Sequence, residues 1–404
     1  MEPTSVFQPI VDLTTGTTVG YEALARGLAG EPPAALFAAA REQGRLAELD
    51  WACRAAAARG ALDAGLGAST ALFVNIEPEV IGTPPPADAA GCIEAARRRL
   101  TIFLEITERA ITDRPAELLD AIELLRADGA GIALDDVGVD PRSLALLPVL
   151  RPDVIKLDMS LVRDTRASSS ALVMNAVWAH AEATGAAIVA EGIETEEHLL
   201  IARTLGASLG QGWYFGRPGP LPSSPARSLT NTRRLERRPP RRAVSPVEVV
   251  AEHHPLRPGR KDLLLAVTKR LEAHARALGK ECVVVSTFQE ASFFSESTRR
   301  RYAELASGAA LVAALGVGLP AEPAPGVRGA PIDPHDPLRG EWDIAVIGPH
   351  FAAALVSQDL GDSGPDNLRR FGFTLTFERE KVVDVVQSLL SRVVALPARS
   401  RLAA

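Results

Sequence analysis

The chain has 404 residues, 47% hydrophobic and 23% charged, with a formal net charge of −6; this is an ordinary globular composition with enough apolar material for two domains rather than one. The acidic balance excludes a chain-wide basic field, so neither a nucleic-acid polymer nor an anionic membrane surface is the expected partner. Three cysteines, Cys53, Cys92 and Cys282, are odd in number and lack CxxC spacing. That excludes a disulfide framework and a thiolate zinc site, and it fits reduced thiols in a cytoplasmic protein.

The opening stretch MEPTSVFQPIVDL has neither the basic nor the apolar region of a secretory leader. From residue 5 to about 218, short β-branched runs alternate with Ala/Leu-rich helical stretches, the rhythm of strands joined by helices. The predicted strands are SVFQPIVDL, TVGYEALAR, ALFVNI, LTIFLEIT, GAGIALDD, DVIKLDM, AAIVAEGI and LGQGWYFG. Between them lie helical segments such as PAALFAAAREQGRLAELDWACRAAAARGALDAG, PAELLDAIELLRADG, SSSALVMNAVWAHAEATG and TEEHLLIARTLG, most of them closed by a glycine suited to a left-handed cap. Eight strands with intervening helices imply an α/β fold of modified (β/α)₈ TIM type, in which the tight connection between the first two strands makes a hairpin.

After Pro218 the composition changes. The stretch up to residue 260 contains NTRRLERRPPRRA, with six arginines and one glutamate between Asn231 and Ala243, and reads as an extended interdomain linker; His253 and His254 are read as loop residues. Beyond it, KDLLLAVTKRLEAHARALG is an amphipathic helix, CVVVSTF a buried strand and STRRRYAELASGAALVAALG a helix; WDIAVIG, FGFTLTFE and the helix KVVDVVQSLLSRVV complete a small α+β domain. The run GAALVAALGVGLP at 308–320 is shorter than the roughly 20 residues of a membrane span and is read as a buried, small-residue helix and loop, so no membrane insertion is expected. The expected division is a barrel at 1–218, a linker at 219–260 and a sensory or interaction domain at 261–398, with a purely structural appendage as the alternative for the last.

In a barrel of this type the functional face lies at the C-terminal ends of the strands. The last polar residues of the second to eighth strands are Glu22, Asn75, Glu105, Asp135 with Asp136, Lys156, Glu191 and Gln211. Each alone has an ordinary role open to it, such as turn formation at Asn75 or helix capping at Asp135, Asp136 and Glu191. Seven strands each ending in a carboxylate, amide or amine form a pattern of another kind. Acids converging on one mouth repel each other unless cations sit among them, and oxygen ligands without thiolate or imidazole suit Mg²⁺ or Mn²⁺. Four or five acids can hold two such ions, a set suited to hydrolysing a phosphodiester, with the lone lysine orienting water or stabilising charge on phosphorus.

At these residues the sequence resembles a known family. YEALAR, FVNIEP, FLEITERA, ALDDVG, VIKLDMSLV, AEGIET and GQGWYFGRP are similar, in order, to the motifs of the EAL-domain phosphodiesterases, which hydrolyse the bacterial second messenger cyclic di-GMP to linear pGpG. The resemblance implies that Glu22, Asn75, Glu105 and Asp135 coordinate one or both metal ions, that Asp136 takes part in the second metal site, and that Lys156 contacts the attacking water. It also implies that Glu191 is a ligand or general base, that Gln211 holds the water network, that Arg26 grips a substrate phosphate, and that Gln8 and Pro218 line the substrate site. Glu108 and Glu194 match supporting positions. Two Mg²⁺ or Mn²⁺ ions, Ca²⁺ binding without hydrolysis, and a homodimer are further implications.

One stretch departs from the family. Active members usually follow the paired aspartates with Phe-Gly-Thr-Gly and Tyr-Ser-Ser, whereas this chain reads DDVGVDPRSLALLP, with Val137, Val139, Asp140 and Pro141 in the changed loop. The departure keeps a second reading open, a receptor that binds cyclic di-GMP without cleaving it, and a third is a scaffold that does neither. The C-terminal region, about 262–395, resembles the DICT domain through ECVVVSTFQEASFF, EWDIAVIGPHFAAALVSQD and RRFGFTLTFER, which implies a sensory module whose signal or protein partner the sequence does not name.

Overall fold

The computed structural model describes residues 3–28, 30–80, 82–107, 114–163, 167–222, 245–251, 253–363 and 365–394. By internal contacts the chain divides into two units, one of residues 1–110, 121–139 and 152–240 and one of residues 111–120, 140–151 and 241–404. The Arg-rich run at 231–243 lies outside the described residues.

The first unit holds a closed barrel. β1 (Thr4–Asp12), β2 (Thr18–Arg26), β3 (Ala71–Asn75), β4 (Thr101–Thr107), β5 (Gly131–Val137), β6 (Val154–Leu157), β7 (Ala187–Ala190) and β8 (Leu209–Gln211) pair in chain order. From β2 to β8 the pairs are parallel, while β1 runs antiparallel to both β2 and β8, so the expected hairpin is present and also supplies the strand that closes the barrel. The last predicted strand is shorter than LGQGWYFG, because the chain turns immediately after Gln211. The long helical stretch at 33–65 is two helices, α1 (Pro33–Glu42) and α2 (Leu46–Asp63), separated at Gly44, whose φ of 67° is the left-handed conformation that ends a helix. The helices α3 (Ala87–Arg99), α4 (Pro115–Ala127), α5 (Arg142–Leu150), α6 (Met159–Arg163), α7 (Ala167–Thr184) and α8 (Glu196–Thr204) follow; Thr195 caps α8 by accepting the His198 N–H at 3.1 Å.

Strand alternation sets the layering inside this barrel. Phe73, Phe103, Ala133, Val154, Val189 and Leu209 form an apolar layer with Ile10, and the Phe73 and Phe103 rings stack at 4.8 Å. Two residues further along each strand, on the same side of the pleat, come Asn75, Glu105, Asp135, Lys156, Glu191 and Gln211. The apolar layer is therefore the floor, and the polar residues are the next layer toward the C-terminal ends of the strands.

The second unit contains a six-stranded sheet in the order β11 (Leu311–Val317), β10 (Val283–Glu290), β12 (Ile344–Ile347), β13 (Ala352–Asp359), β14 (Arg370–Thr376) and β9 (Arg257–Arg260). Only the β10–β11 pair is parallel. Both faces are covered. Leu264 and Leu271 of α10 (Lys261–Leu278) and Tyr302 and Leu305 of α11 (Glu296–Gly308) pack with Val284, Val312, Val346 and Leu355 on one face, and α12 (Arg379–Leu390) buries Val382, Val386 and Leu389. The short helix α9 (Pro246–Ala251) and β9 lie within the stretch read as linker, and His254 meets Glu378 at 2.9 Å.

One sequence expectation is overturned here. Residues 308–320 are not a helix and loop: Leu311–Val317 is the edge strand β11, and helix α11 ends at Gly308. A strand buried on both faces reads as a continuous apolar run, which periodicity cannot separate from a buried helix.

At the start of β12, Glu341 and Asp343 are buried side by side. Glu341 Oε2 accepts the Val247 N–H of α9 at 3.2 Å, and Asp343 accepts the Ser357 N–H at 2.9 Å and the Thr287 hydroxyl at 3.1 Å. Burial pushes the Glu341 carboxyl up to about 7, and burial together with the Glu341 charge pushes Asp343 well above the usual carboxylate range. The folded state therefore holds more protons than the unfolded state once pH exceeds the ordinary carboxylate value, so stability falls as pH rises from about 4.5 toward 7. Glu341→Gln mimics the protonated acid, and thermal unfolding of the full chain between pH 5 and 8 should show a shallower decline for the variant than for the parent. Parallel profiles would remove this acid pair as the cause.

Candidate metal centre at the barrel mouth

The polar layer closes around one ammonium. Lys156, 1% exposed, places Nζ 2.7 Å from Glu105, 2.8 Å from Glu191, 3.1 Å from Asp135 and 3.5 Å from Glu22. Gln211 donates through Nε2 to Glu22 at 2.6 Å and to Gln8 at 3.1 Å, and Gln8 in turn donates to the Gly216 carbonyl at 3.3 Å. Asn75 donates to the other Glu22 oxygen at 3.3 Å. The hairpin register sets Gln8 opposite Glu22 and Ile10 opposite Gln211, which is how the antiparallel β1 brings an amide into a ring otherwise built from strand ends.

Asp135 and Asp136 are adjacent, so a regular strand would point them to opposite faces. The β5–β6 register shifts between Leu134 and Val137, and Asp136 has φ 56°, a left-handed conformation that Asp tolerates better than most residues. The kink lets both acids serve one site: an oxygen from each of Asp135, Asp136 and Glu191 lies within 4.8 Å of the other two. A second backbone constraint holds the far side. At Gly212 a Cβ would lie 2.1 Å from the Ile193 carbonyl oxygen, and this close approach lets the Ile193 N–H reach the Gln211 carbonyl at 3.0 Å. That bond ties the chain after Glu191 to the end of β8.

The electrostatics follow from more negative groups than positive ones in a buried space. Burial disfavours the Lys156 ammonium, yet Glu105, Glu191, Glu22 and Asp135 together more than offset it and hold its pKa well above the usual lysine value. For Glu105, burial and the Glu22 charge win, and its pKa is pushed well above the carboxylate range. Glu191 is pushed up to about 8 by burial, with Asp135 and Glu22 adding to it against Lys156. Burial works to raise Glu22 too, but Lys156 and the hydrogen bonds from Gln211 and Asn75 keep it below its ordinary value. Asp136 is raised by burial and by the charges of Asp135 and Asp158. One lysine does not neutralise this set. Glu105 Oε2 is buried without a hydrogen-bond partner among the described residues, as is Gln211 Oε1. Surplus negative charge, unmatched buried oxygens and an all-oxygen donor set are the features that a hard divalent cation fits.

The structure gathers Glu22, Asn75, Glu105, Asp135, Asp136, Lys156, Glu191, Gln211 and Gln8 at this mouth. Arg26 lies four residues after Glu22 on the same side of β2, with its NH1 on the Ala25 carbonyl at 2.8 Å. Glu194 pairs with Arg163 at 2.7 Å, and Pro218 precedes the Gly219 bridge to Phe7; among the described residues, no hydrogen bond or ion pair joins Arg26, Glu194 or Pro218 to the acids around Lys156. Glu108 lies outside the described residues. Sequence reasoning missed Asp158, two residues beyond Lys156, which accepts the Ser160 N–H at 2.8 Å while its charge acts on Asp136. The missed signal was a second polar residue with the same strand parity as Lys156.

A barrel of this strand order whose mouth is a ring of carboxylates around a lysine defines the class. The EAL domain model matches residues 2–218, more than half of the chain, and the chain belongs to that family. Residues 248–360 match the DICT model, a sensory domain in diguanylate cyclases and two-component systems. The chain is 32% identical over 223 residues to the cyclic di-GMP phosphodiesterase RocR of Pseudomonas aeruginosa, with 53% of this chain and 57% of that protein covered. It is 31% identical over 223 residues to the probable cyclic di-GMP phosphodiesterase PdeG of Escherichia coli, with 52% and 44% covered. The chain thus spans about half the length of these curated relatives. A solved Klebsiella pneumoniae BlrP1 complex with manganese and cyclic di-GMP is 30% identical, with a TM-score of 0.49, over 54% of this chain and 56% of that chain.

Removing the central cation tests the charge balance. Lys156→Met leaves buried acids uncompensated, a change that costs about 3–5 kcal/mol in buried pairs generally. Its melting temperature in EDTA should fall well below that of the parent, and added Mn²⁺ should recover part of the loss. An unchanged melting temperature would contradict the arrangement around Lys156.

Proposed function

We propose that the barrel hydrolyses cyclic di-GMP to linear pGpG with Mg²⁺ or Mn²⁺, two ions being held together, and that the C-terminal domain regulates it. The observation that carries this reading is the convergence of Glu22, Asn75, Glu105, Asp135, Asp136 and Glu191 on one mouth with surplus buried negative charge, in a chain of the EAL family. The names of RocR and PdeG support the substrate.

In this reading Glu22, Asn75, Glu105 and Asp135 are ligands, and Asp136 and Glu191 complete the second position. Held by these residues, divalent ions would supply a lowered pKa for a bound water and charge neutralisation at the phosphoryl oxygens. Lys156 lies against Glu105, Glu191 and Asp135, where its ammonium orients the attacking water and stabilises negative charge developing at phosphorus. Glu191 serves either as a ligand at that second position or as the base that takes the proton of the water. The Gln211–Gln8 pair holds the water network, Arg26 takes a substrate phosphate, and Pro218 belongs to the rim of the substrate site. Glu194 and Glu108 are assigned supporting roles on the family resemblance alone. The functional division is a barrel at 1–218, a linker at 219–260 and a sensory domain at 261–398. A second reading, a cyclic di-GMP receptor without turnover, is favoured by the loop after Asp136, where Val137 is fully buried, Val139 is 63% exposed and Pro141 begins the next helix.

Purified protein incubated with cyclic di-GMP and Mn²⁺ should release pGpG, resolved by liquid chromatography, and Glu22→Ala should lower the rate by at least about a hundredfold, as expected for a displaced or missing group at the reacting centre. Ca²⁺ should support binding without product. Saturable binding with no pGpG in Mg²⁺ or Mn²⁺ would reject the enzyme reading in favour of the receptor. Light scattering should give twice the monomer mass of 42.8 kDa for the expected homodimer.

A further inference from the structure

Helix α2 carries a buried ion pair next to the chain that leaves β3. Asp50 is 2% exposed and Arg54 7%; the Arg54 guanidinium donates to Asp50 Oδ2 through Nε at 2.6 Å and through NH2, and it lies 3.7 Å from the centre of the Trp51 ring. As a source of stability such a pair is weak, since desolvating two charges offsets most of their attraction and an apolar pair would serve the helix as well. Its remaining oxygen has a different use: Asp50 Oδ1 accepts the Glu77 N–H at 2.9 Å, two residues past Asn75. The adjacent Trp51 donates its indole N–H to Thr83 Oγ1 at 3.1 Å, and that hydroxyl donates to the Val80 carbonyl at 2.8 Å. From the other side, the Ile76 N–H donates to the Glu105 carbonyl at 3.2 Å.

Asn75 is the last residue of β3 and is exposed, and beyond the Ile76 bond to Glu105 the strand pairing ends. The backbone after it is a short 3₁₀ turn at Pro78–Val80 with Val80 buried, and on the surface Arg41 pairs with Glu77 at 2.9 Å and Glu79 at 3.3 Å. We propose that Asp50, locked in place by Arg54 and seconded by the Trp51–Thr83 bond, is a positioning residue that fixes the direction in which Asn75 presents its amide to the candidate metal centre. Arg54 orients Asp50, Asp50 anchors residue 77, and residue 77 sets the exit of the chain from Asn75. The inference rests on the reading of the mouth as a divalent-cation centre.

The test is calorimetric titration of Mn²⁺ into the full chain without nucleotide, with melting temperatures recorded in EDTA. Asp50→Ala should raise the Mn²⁺ Kd about tenfold, the usual size of effect when the support of a metal ligand is removed. Thr83→Val, nearly isosteric, should raise it about threefold through loss of one hydrogen bond. The double variant Asp50→Asn/Arg54→Gln keeps an acceptor for the Glu77 N–H without a buried charge and should return the Kd to within about threefold of the parent. A merely structural role lowers the melting temperature and leaves the Kd of the folded protein alone, and that outcome overturns the proposal. If Asp50→Ala does not fold, Thr83→Val decides by the same criterion. A parent chain that takes up no Mn²⁺ overturns both the metal reading and the tether, whereas a parent that binds with variants that bind equally overturns the tether alone.

Discussion

A single buried ammonium surrounded by four carboxylates is the constraint on which the barrel mouth depends. Lys156 can be buried only because Glu105, Glu191, Asp135 and Glu22 surround it, and those acids can be brought together only because Lys156 stands among them. The two requirements do not cancel. One cation among this many acids leaves the charge at the mouth unbalanced, and burial together with the neighbouring carboxylates raises the pKa values of Glu105 and Glu191 above the usual carboxylate range.

The fold supplies this site with little local strain. Strand alternation alone stacks the polar layer on the apolar floor, so most of the mouth's polar residues sit on rigid strand ends rather than on loops. Strain is concentrated where alternation gives the wrong answer. Asp135 and Asp136 share a site only because Asp136 adopts a left-handed conformation at a register shift, and Gln211 meets the chain after Glu191 only because Gly212 has no side chain. The loop leaving Asp136 is also the stretch in which this chain departs from the usual EAL pattern. Which residues reach the mouth and how they are held there are therefore separate questions in this protein, and the buried Asp50–Arg54 pair, bonded to the backbone two residues past Asn75, belongs to the second.

The second unit raises a related question with different chemistry. Glu341 and Asp343 are carboxyls in a packed interior, where burial raises both pKa values and the Glu341 charge raises that of Asp343 further. Through Glu341 the pair reaches α9, the first described element after the Arg-rich run, and so ties the start of this unit to the middle of its sheet. The sheet also accounts for the one element misread from sequence. Residues 311–317 are small and apolar on both faces, because helices or strands cover both sides of β11, and a segment without alternation carries no period to read.

The sequence by itself determined the eight-strand barrel, the hairpin at its start and the identity of the residues at the strand ends, because period-two alternation and the position of the last polar residue are local properties that survive in one dimension. It also carried the ordered motifs that place the chain in the EAL family. Tertiary structure alone decided which of those residues meet. The contact of Gln8 with Gln211, the common site of adjacent Asp135 and Asp136, the influence of Asp158 on Asp136, and the hold of Asp50 on residue 77 all join positions whose proximity depends on barrel closure, a backbone kink or helix packing. Distance in space and burial set the strength of those interactions, and neither is written in the spacing of residues along the chain.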